Sequence, residues 1–272
     1  IRNSKADNFE NSVMPGDKLV KVNGIQVNEN IERDFYFTEP DRREEILLSF
    51  SRAGKEFDIR LHTNTTAEIR DLQYLAWEDE CKALTEKLGK GKFAYIHMRD
   101  MGDAALENFF VEMNTYAVHK EGLILDLRYN NGGNVHQAVI DFLRQKQHFK
   151  WSYRDKEKVT HPNFTPANRP VIVLINERSL SDAEVTSNGI KELEIAKLVG
   201  TESYRWIIFT SGAGLVDGSF CRLPAWGCYS LDGKDLEKSG VKPDIYVKNT
   251  FKNRVEAKDP QLERAIKELL SL

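Results

Sequence analysis

The sequence has 272 residues, of which 40% are hydrophobic and 30% are charged, with a formal net charge of -3. Such a chain can bury at least one full core, and its length suggests one large domain with a smaller one. The mixed charges provide no basic field for nucleic acid. No apolar run approaches the roughly 18 residues of a membrane span, and residues 1–5 do not resemble a signal peptide. Partners therefore have to be inferred from individual sites.

Residues 1–62 are predicted to form a small β-rich module. Apolar stretches at 19–22 and 25–27 flank Asn23-Gly24, a strong hairpin signal because both turn positions need a positive φ. Two further alternating stretches surround the turn at 52–55. The amphipathic pattern over 65–88 then predicts a helix, which makes 63–92 a connecting segment.

Strands and helices alternate from residue 93 onward. The patterns predict strands over 93–98, 122–127, 170–175 and 196–200, and helices over 104–119, 135–144 and 182–193. This alternation predicts an α/β fold over 93–272, with an open, mostly parallel sheet and crossover helices. A last helix is expected to begin after Asp259, which precedes Pro260 at a typical first helical position.

Ser181 lies where the third predicted strand of this region meets a helix. Together with Glu184 it forms the pattern of a capping box. The unpaired N–H groups at a helix start are also what an acyl-transfer enzyme uses to hold an oxyanion. Taken alone, the motif favours a helix cap, because capping serines far outnumber nucleophiles.

Gly132 and Gly133 follow the second predicted strand directly and precede a helix. A glycine pair at this place exposes backbone N–H groups at the C-terminal edge of the sheet, where α/β proteins bind ligands. The pair is therefore a second candidate for an oxyanion site. The alternative is a tight turn without a chemical role.

No metal or organic cofactor is predicted, because the HExxH, GxGxxG and P-loop patterns are absent from the sequence. The three cysteines, Cys81, Cys221 and Cys228, contain no CxxC pair, which argues against a zinc ribbon or a thioredoxin motif. Cys221 and Cys228 leave two alternatives open, a small disulfide-closed loop or two free thiols.

Three segments occur in an order that resembles the tail-specific protease superfamily of serine peptidases: LILDLRYNNGG at 123–133, VIVLINERSLSDAE at 171–184 and EKSGVKPDI at 237–245. The likeness is greatest to the tricorn core protease branch. PGDKLVKVNG at 15–24 is similar to a PDZ domain, and a PDZ module before the catalytic domain is that family's arrangement. The resemblance implies a crotonase- or ClpP-like catalytic core preceded by a PDZ-like domain.

The resemblance also implies roles for individual residues. Ser181 matches the nucleophile, and the backbone N–H groups of Asp182 and Gly133 match the oxyanion donors, with Gly132 counted in the same oxyanion hole. Glu237 matches a glutamate that helps to orient the catalytic histidine. Together these parts make a serine activated by an oriented base, with donors that face the developing charge.

The general base has no match in this chain. Tail-specific proteases use a lysine where this sequence has Trp206, and the neighbouring Arg205 stays protonated and cannot replace it. The tricorn branch uses a histidine ahead of its PDZ module, so the base is expected upstream of Ile1. His136 is a weaker alternative, because on the helix after Gly133 its side chain can point away from the serine. The other histidines are interpreted as surface or packing residues: His62, His97, His119, His148 and His161.

The implied activity is hydrolysis of peptide bonds in unfolded proteins or peptides, through an acyl-enzyme on Ser181. Asp155 is a loosely matched candidate for substrate binding, with a preference for basic residues. Polypeptides are the expected partners, a homo-oligomer is considered, and a periplasmic or extracellular location is favoured slightly over a cytoplasmic one. The alternative is a non-catalytic module on the same fold, either a retinoid-type carrier or a PDZ scaffold. Retention of the serine, the glycine pair and Glu237 favours the enzyme.

Overall fold

A computed structural model describes residues 12–37, 45–165 and 169–272. The chain divides into two compact units, Ile1–Glu80 and Cys81–Leu272. The predictions for residues 1–5, and for the parts of the first module at 1–11 and 38–44, lie outside the described residues.

The described residues of the first unit form an antiparallel sheet. Its strands are β1 (Lys18–Val22), β2 (Ile25–Gln26), β3 (Glu45–Arg52) and β4 (Lys55–His62), in the order β2-β1-β3-β4. Asn23 and Gly24 both have positive φ, 49° and 81°, as the hairpin signal between β1 and β2 predicted. The β-rich start is confirmed, whereas its likeness to a PDZ domain stays a prediction.

Helix α1 (Thr66–Leu88) occupies the predicted connecting segment. The division between the two units falls inside this helix, after Glu80. The predicted boundaries at residues 62 and 92 therefore stay predictions.

The second unit alternates strands and helices along the chain, as predicted. Its strands are β5 (Phe93–His97), β6 (Gly122–Asp126), β7 (Phe149–Trp151), β8 (Val159–His161), β9 (Val171–Ile175), β10 (Lys197–Gly200), β11 (Phe209–Gly214), β12 (Phe220–Trp226) and β13 (Ile245–Tyr246). Its α-helices are α2 (Asp103–Thr115), α3 (His136–Leu143), α4 (Asp182–Glu192), α5 (Leu236–Ser239), α6 (Phe251–Val255) and α7 (Pro260–Ser271).

Five of these strands form a parallel sheet in the order β13-β10-β9-β6-β5. β6 lies next to β9 in a register that pairs Leu125 with Val173. Strands β7 and β8 form a separate antiparallel hairpin, and so do β11 and β12. The predicted α/β fold with a mostly parallel sheet is confirmed.

The core lies on both faces of this sheet, because β5, β6 and β9 are buried along their whole length. Alternate residues of a strand point to opposite faces. One set, including Leu125 and Val173, packs in a cluster with Phe109 of α2, Val139 of α3 and Ile190 of α4. Helix α7 packs on β9 and β6 and buries its own apolar stripe. Continuous apolar strands are what a sheet covered on both faces requires.

The start of α7 follows the predicted capping pattern. Asp259 is the N-cap, its Oδ1 accepts a hydrogen bond from the N–H of Leu262 at 3.0 Å, and Pro260 occupies the first helical turn. None of the helices in the described ranges is long and apolar enough to cross a membrane.

All three cysteines are free thiols. Cys221 and Cys228 are half-buried and unpaired, which is the second of the two alternatives left open by the sequence. Burial raises the pKa of the Cys81 thiol to about 12, because it disfavours the thiolate by more than the nearby charge of Arg128 favours it.

A buried ionic network lies at the C-terminal end of β6. The Arg128 guanidinium binds Asp126 through Nη2 and Oδ2 at 2.6 Å, and binds Asp259 through Nη1 and Oδ1 at 2.8 Å. Gln261 accepts a further bond from Nη1 at 3.2 Å, and the Tyr95 hydroxyl donates to Asp126 at 2.7 Å. Burial alone would lower the pKa of Arg128, but the two carboxylates hold it well above its ordinary value. The network thus joins β5, β6 and α7.

Replacing Arg128 with methionine is expected to lower the free energy of unfolding by about 3–5 kcal/mol, because it leaves buried carboxylates without their cation. The matched control is Arg264→Met, which removes an exposed pair with Glu268 on α7 and is expected to cost about 0.5 kcal/mol. Urea unfolding followed by circular dichroism measures both variants. Equal losses would contradict a structural role for the buried network.

Asp259 is expected to make stability depend on pH. Burial would raise the pKa of its carboxyl, but the charge and hydrogen bonds of Arg128 hold it below its ordinary value of 3.8. A depressed folded-state pKa gives stability that is present above pH 3.8 and is lost as pH falls through the folded-state pKa. The difference in unfolding free energy between the wild type and Asp259→Asn should therefore be largest near neutral pH and shrink in acid. A difference that stays constant across this range would refute the prediction.

Candidate active site

The turn between β9 and α4 holds Ser181 in an unusual backbone conformation. Ser181 has φ 55° and ψ -118°, and a positive φ is uncommon for a residue other than glycine. A serine at a strained strand-to-helix turn presents its hydroxyl at the edge of the sheet in α/β hydrolases. Such strain costs about 1–3 kcal/mol and persists only where neighbouring contacts hold the residue.

Ser179 anchors this turn to the loop that follows β6. Its hydroxyl donates to the carbonyl of Leu127 at 2.7 Å and accepts from the N–H of Asn176 at 3.0 Å. The side-chain oxygen of Asn176 accepts from the N–H of Tyr129 at 3.1 Å. Because β6 and β9 are adjacent and parallel, the loops after them leave the sheet at the same edge.

The glycine pair lies directly against the serine. A Cβ atom added at Gly132 would come within 2.6 Å of Ser181 Cβ and 3.1 Å of its Oγ, and Gly132 also has φ 78°. A Cβ added at Gly133 would lie 2.1 Å from the carbonyl oxygen of Met101. Both positions therefore exclude any larger residue, so the loop and the serine can approach each other.

Neither of the two predicted oxyanion donors has a hydrogen-bond partner for its N–H group among the described residues. The N–H groups of Gly133 and Asp182 form no hydrogen bond with any part of the chain that the structure describes. The N–H of Gly132 instead donates to Oδ1 of Asn130 at 2.8 Å. Gly132 contributes the close approach to Ser181, and its place in the oxyanion hole stays a prediction.

Asn130 is a site residue that the sequence did not reveal. Its side chain is fully buried, accepts from Gly132 and donates to the carbonyl of Met98 at 2.7 Å. Its own carbonyl accepts from the N–H of Leu180 at 3.1 Å. Asn130 thus connects the glycine loop to the residue that follows β5 and to the serine turn. The available signal was an asparagine two residues before a glycine, which predicts a local turn and nothing more.

The carboxylate of Asp182 binds the start of α3. Its Oδ2 accepts from the N–H groups of Val135 and His136 at 2.7 Å and 2.9 Å, and its Oδ1 lies 2.5 Å from Nδ1 of His136. The His136 ring is therefore directed at Asp182, and no hydrogen bond joins the ring to Ser181 Oγ. A role for His136 as base stays a prediction.

Glu184 does more than the predicted helix cap. Its side chain is fully buried, and Oε1 accepts from the N–H of Ser181 at 3.1 Å. Its further partners are donors from residues 203–206, which lie in the segment between β10 and β11. The sequence pattern predicted only the first of these contacts.

Glu237 and Asp155 are both exposed. Glu237 lies on α5, and the chain just after α5 is bound to Ser203 by a pair of hydrogen bonds with Val241, at 2.8 Å and 3.1 Å. Asp155 lies in the loop between β7 and β8, and no contact of the described residues joins it to the serine turn. The roles predicted for these two residues stay predictions.

The structure does not identify the general base among the described residues. No hydrogen bond within them joins Ser181 Oγ to a histidine or a lysine. His97 is buried and bonds to the carbonyl of Arg128 at 2.8 Å, while His148 and His161 contact each other in the β7–β8 hairpin. The described part of the chain also holds no group of three His, Cys, Asp or Glu side chains suited to a metal ion.

Comparison with known proteins gives consistent results for the sequence and for the structure. The model of "Peptidase family S41" matches residues 92–247, more than half of the chain. The tricorn protease of Thermoplasma acidophilum is 30% identical over 227 residues, which cover 80% of this chain and 20% of that protein. Tricorn protease homolog 1 of Streptomyces coelicolor is 28% identical over 234 residues, which cover 80% and 22%.

A crystal structure of the tricorn protease superposes on the chain with a TM-score of 0.76 at 26% sequence identity, covering 94% of this chain and 25% of that one. The chain thus spans only about a fifth to a quarter of the length of these relatives. The family match includes the glycine pair, Ser181 and Glu237. The resemblance inferred from the motifs is confirmed, and the chain belongs to peptidase family S41.

Proposed function

We propose that the chain carries the nucleophile and the oxyanion site of a serine peptidase, which hydrolyses peptide bonds through an acyl-enzyme on Ser181. The observation that carries the proposal is the positive-φ conformation of Ser181 against Gly132, at the C-terminal edge of a parallel sheet. A serine that acted only as a helix cap would have no need of a close glycine partner. Membership of a peptidase family supports the same conclusion.

The arrangement suits a two-step acyl transfer. Ser181 Oγ attacks the peptide carbonyl carbon while a base takes the hydroxyl proton, and the carbonyl oxygen becomes an oxyanion. The unpaired N–H groups of Gly133 and Asp182 supply its donors, each worth about 3–4 kcal/mol in comparable sites. The C–N bond then breaks, the amine leaves with the proton from the base, and water hydrolyses the ester by the reverse proton path.

The base in this proposal is a histidine from a segment upstream of Ile1. The Glu237 carboxylate is exposed and forms no hydrogen bond or ion pair with other described residues, which leaves it available to orient such a ring. The substrates are polypeptides. A preference for basic residues through Asp155, assembly into homo-oligomers and a periplasmic or extracellular location remain proposals from the resemblance.

The retinoid-type carrier and the PDZ scaffold are less favoured alternatives, because the similar proteins named above are proteases. A carrier has no use for a strained serine beside unpaired N–H groups. A positive φ at Ser181 would then be strain without a function.

Changing Ser181 to alanine tests the proposal, because it removes the attacking oxygen and leaves the turn in place. In the full-length protein, with any residues that precede Ile1 retained, we expect loss of fluorogenic-peptide hydrolysis and of fluorophosphonate labelling, with an unchanged melting temperature. The control is Ser271→Ala, which removes an exposed hydroxyl at the end of α7 and should keep full activity. Hydrolysis by Ser181→Ala at the wild-type rate would rule out Ser181 as the nucleophile.

Gly132→Ala tests the close approach of the glycine loop. The added methyl group would overlap Ser181 at a position that already has φ 78°, so the two loops must separate. We expect about a 100-fold fall in the labelling rate, the usual size of effect when a reacting atom moves by about 1 Å.

The matched control is Gly214→Ala on β11, where a Cβ meets nothing within 4 Å and φ is not positive. This variant should label at the wild-type rate. If both variants label alike, the contact between Gly132 and Ser181 has no catalytic importance.

A further inference from the structure

Glu184 is a fully buried acidic side chain that the proposed reaction does not use. No cation forms an ion pair with it among the described residues, and four hydrogen-bond donors surround it instead. Oε1 accepts from the N–H groups of Ser181 and Trp206, at 3.1 Å and 2.8 Å. Oε2 accepts from the N–H of Arg205 at 2.8 Å and from the hydroxyl of Ser203. Such bonds offset the cost of burying a carboxylate.

Two of these donors belong to residues with a strained backbone. Ser181 has φ 55° and Arg205 has φ 72°, and both are conformations that non-glycine residues rarely adopt. The consecutive N–H groups of Arg205 and Trp206 form a small nest around the carboxylate, which is a favourable anion site. The Glu184 side chain therefore binds the backbone of Ser181 and the backbone of residues 205 and 206 at the same time.

The Glu184 carboxylate is also connected to the chain near Glu237, through hydrogen bonds made by Ser203. The Ser203 hydroxyl donates a hydrogen bond to Glu184 and accepts one from the N–H of Val241 at 2.8 Å. The N–H of Ser203 donates to the carbonyl of Val241 at 3.1 Å. Val241 follows shortly after α5, the helix that carries Glu237.

We propose that Glu184 is a positioning residue for the Ser181 nucleophile, an inference that rests on the proposed function and extends it. Glu184 touches neither the reacting oxygen nor the predicted oxyanion donors. It fixes the backbone of Ser181 directly, and it fixes residues 203–206 through three further bonds. Loss of the carboxylate frees Ser181 to relax from its positive φ, which slows acylation and leaves peptide binding largely unchanged.

Glu184→Gln is the sharpest substitution because it keeps the shape of the side chain. An amide has only one acceptor oxygen, so its NH2 group must face two donors that the carboxylate now binds. In the full-length protein we expect kcat and the fluorophosphonate labelling rate to fall by about 100-fold, with little change in KM. A purely structural role would lower the melting temperature without this split between kcat and KM.

Ile190→Val is the matched control for stability. Ile190 is buried in the same helix α4 and contacts the core rather than the serine turn. It should lower the melting temperature and leave labelling of the folded protein at the wild-type rate. If Glu184→Gln folds and also labels at the wild-type rate, Glu184 is not a positioning residue.

Ser203→Ala is the second variant, and it decides the question if Glu184→Gln does not fold. It keeps the carboxylate and removes one donor, so a fall in labelling of about 10-fold is expected, and an unchanged rate would overturn the inference. Labelling of the wild-type protein distinguishes a failure of this inference from a failure of the proposed function. If the wild type itself does not label at Ser181, the peptidase proposal fails and the role of Glu184 fails with it.

Discussion

The buried ion pairs of the Arg128 guanidinium are the interaction on which the C-terminal edge of the parallel sheet depends. The guanidinium binds Asp126 at the end of β6 and Asp259 at the start of α7. The backbone carbonyl of Arg128 accepts a hydrogen bond from Nε2 of His97 at the end of β5. A guanidinium stays charged at any working pH, so the two carboxylates keep their partner. The loop that carries the glycine pair leaves the sheet from this residue. The first residues of this loop are thereby held by contacts that do not involve Ser181.

The serine turn is held by hydrogen bonds from backbone N–H groups to the two acidic residues that follow it, Asp182 and Glu184. Asp182 binds two N–H groups at the start of α3, and Glu184 binds the N–H groups of residues 205 and 206. Both carboxylates lie in the first turn of α4, where the helix dipole favours negative charge. Two residues close to Ser181 in the sequence, Asp182 and Glu184, therefore connect the serine turn to the start of α3 and to residues 205 and 206. These bonds offset the strain at Ser181, while the N–H of Asp182 itself has no partner in the described part of the chain.

The fold was predictable because apolar strand patterns and the cap of α7 are local signals. Ser181 and the glycine pair were predictable from motif order. The roles of Asn130 and Glu184 were not, because their partners are mostly backbone N–H and C=O groups, which every residue type except proline offers. The partners of Glu184 in residues 203–206 also lie 19–22 positions away. The hydrogen bond from Gly132 to Asn130 was also not predictable, because a glycine pair alone does not reveal which N–H a neighbouring asparagine binds.

Trp206 stands where the sequence resemblance predicts the lysine base of tail-specific proteases, and it lies in the segment beside the serine turn. Residues 203–206 are held at the serine turn mainly by backbone N–H groups. The Trp206 side chain takes no part in these bonds, and it stacks on Tyr204 with ring centroids 5.6 Å apart while about half of it remains exposed. A tryptophan at this position therefore leaves Ser181 and its proposed N–H donors in place, because Glu184 binds the backbone of residues 205 and 206. The position of the proposed nucleophile thus does not depend on the side chain at 206, which is the condition that the proposed histidine base from another segment has to meet.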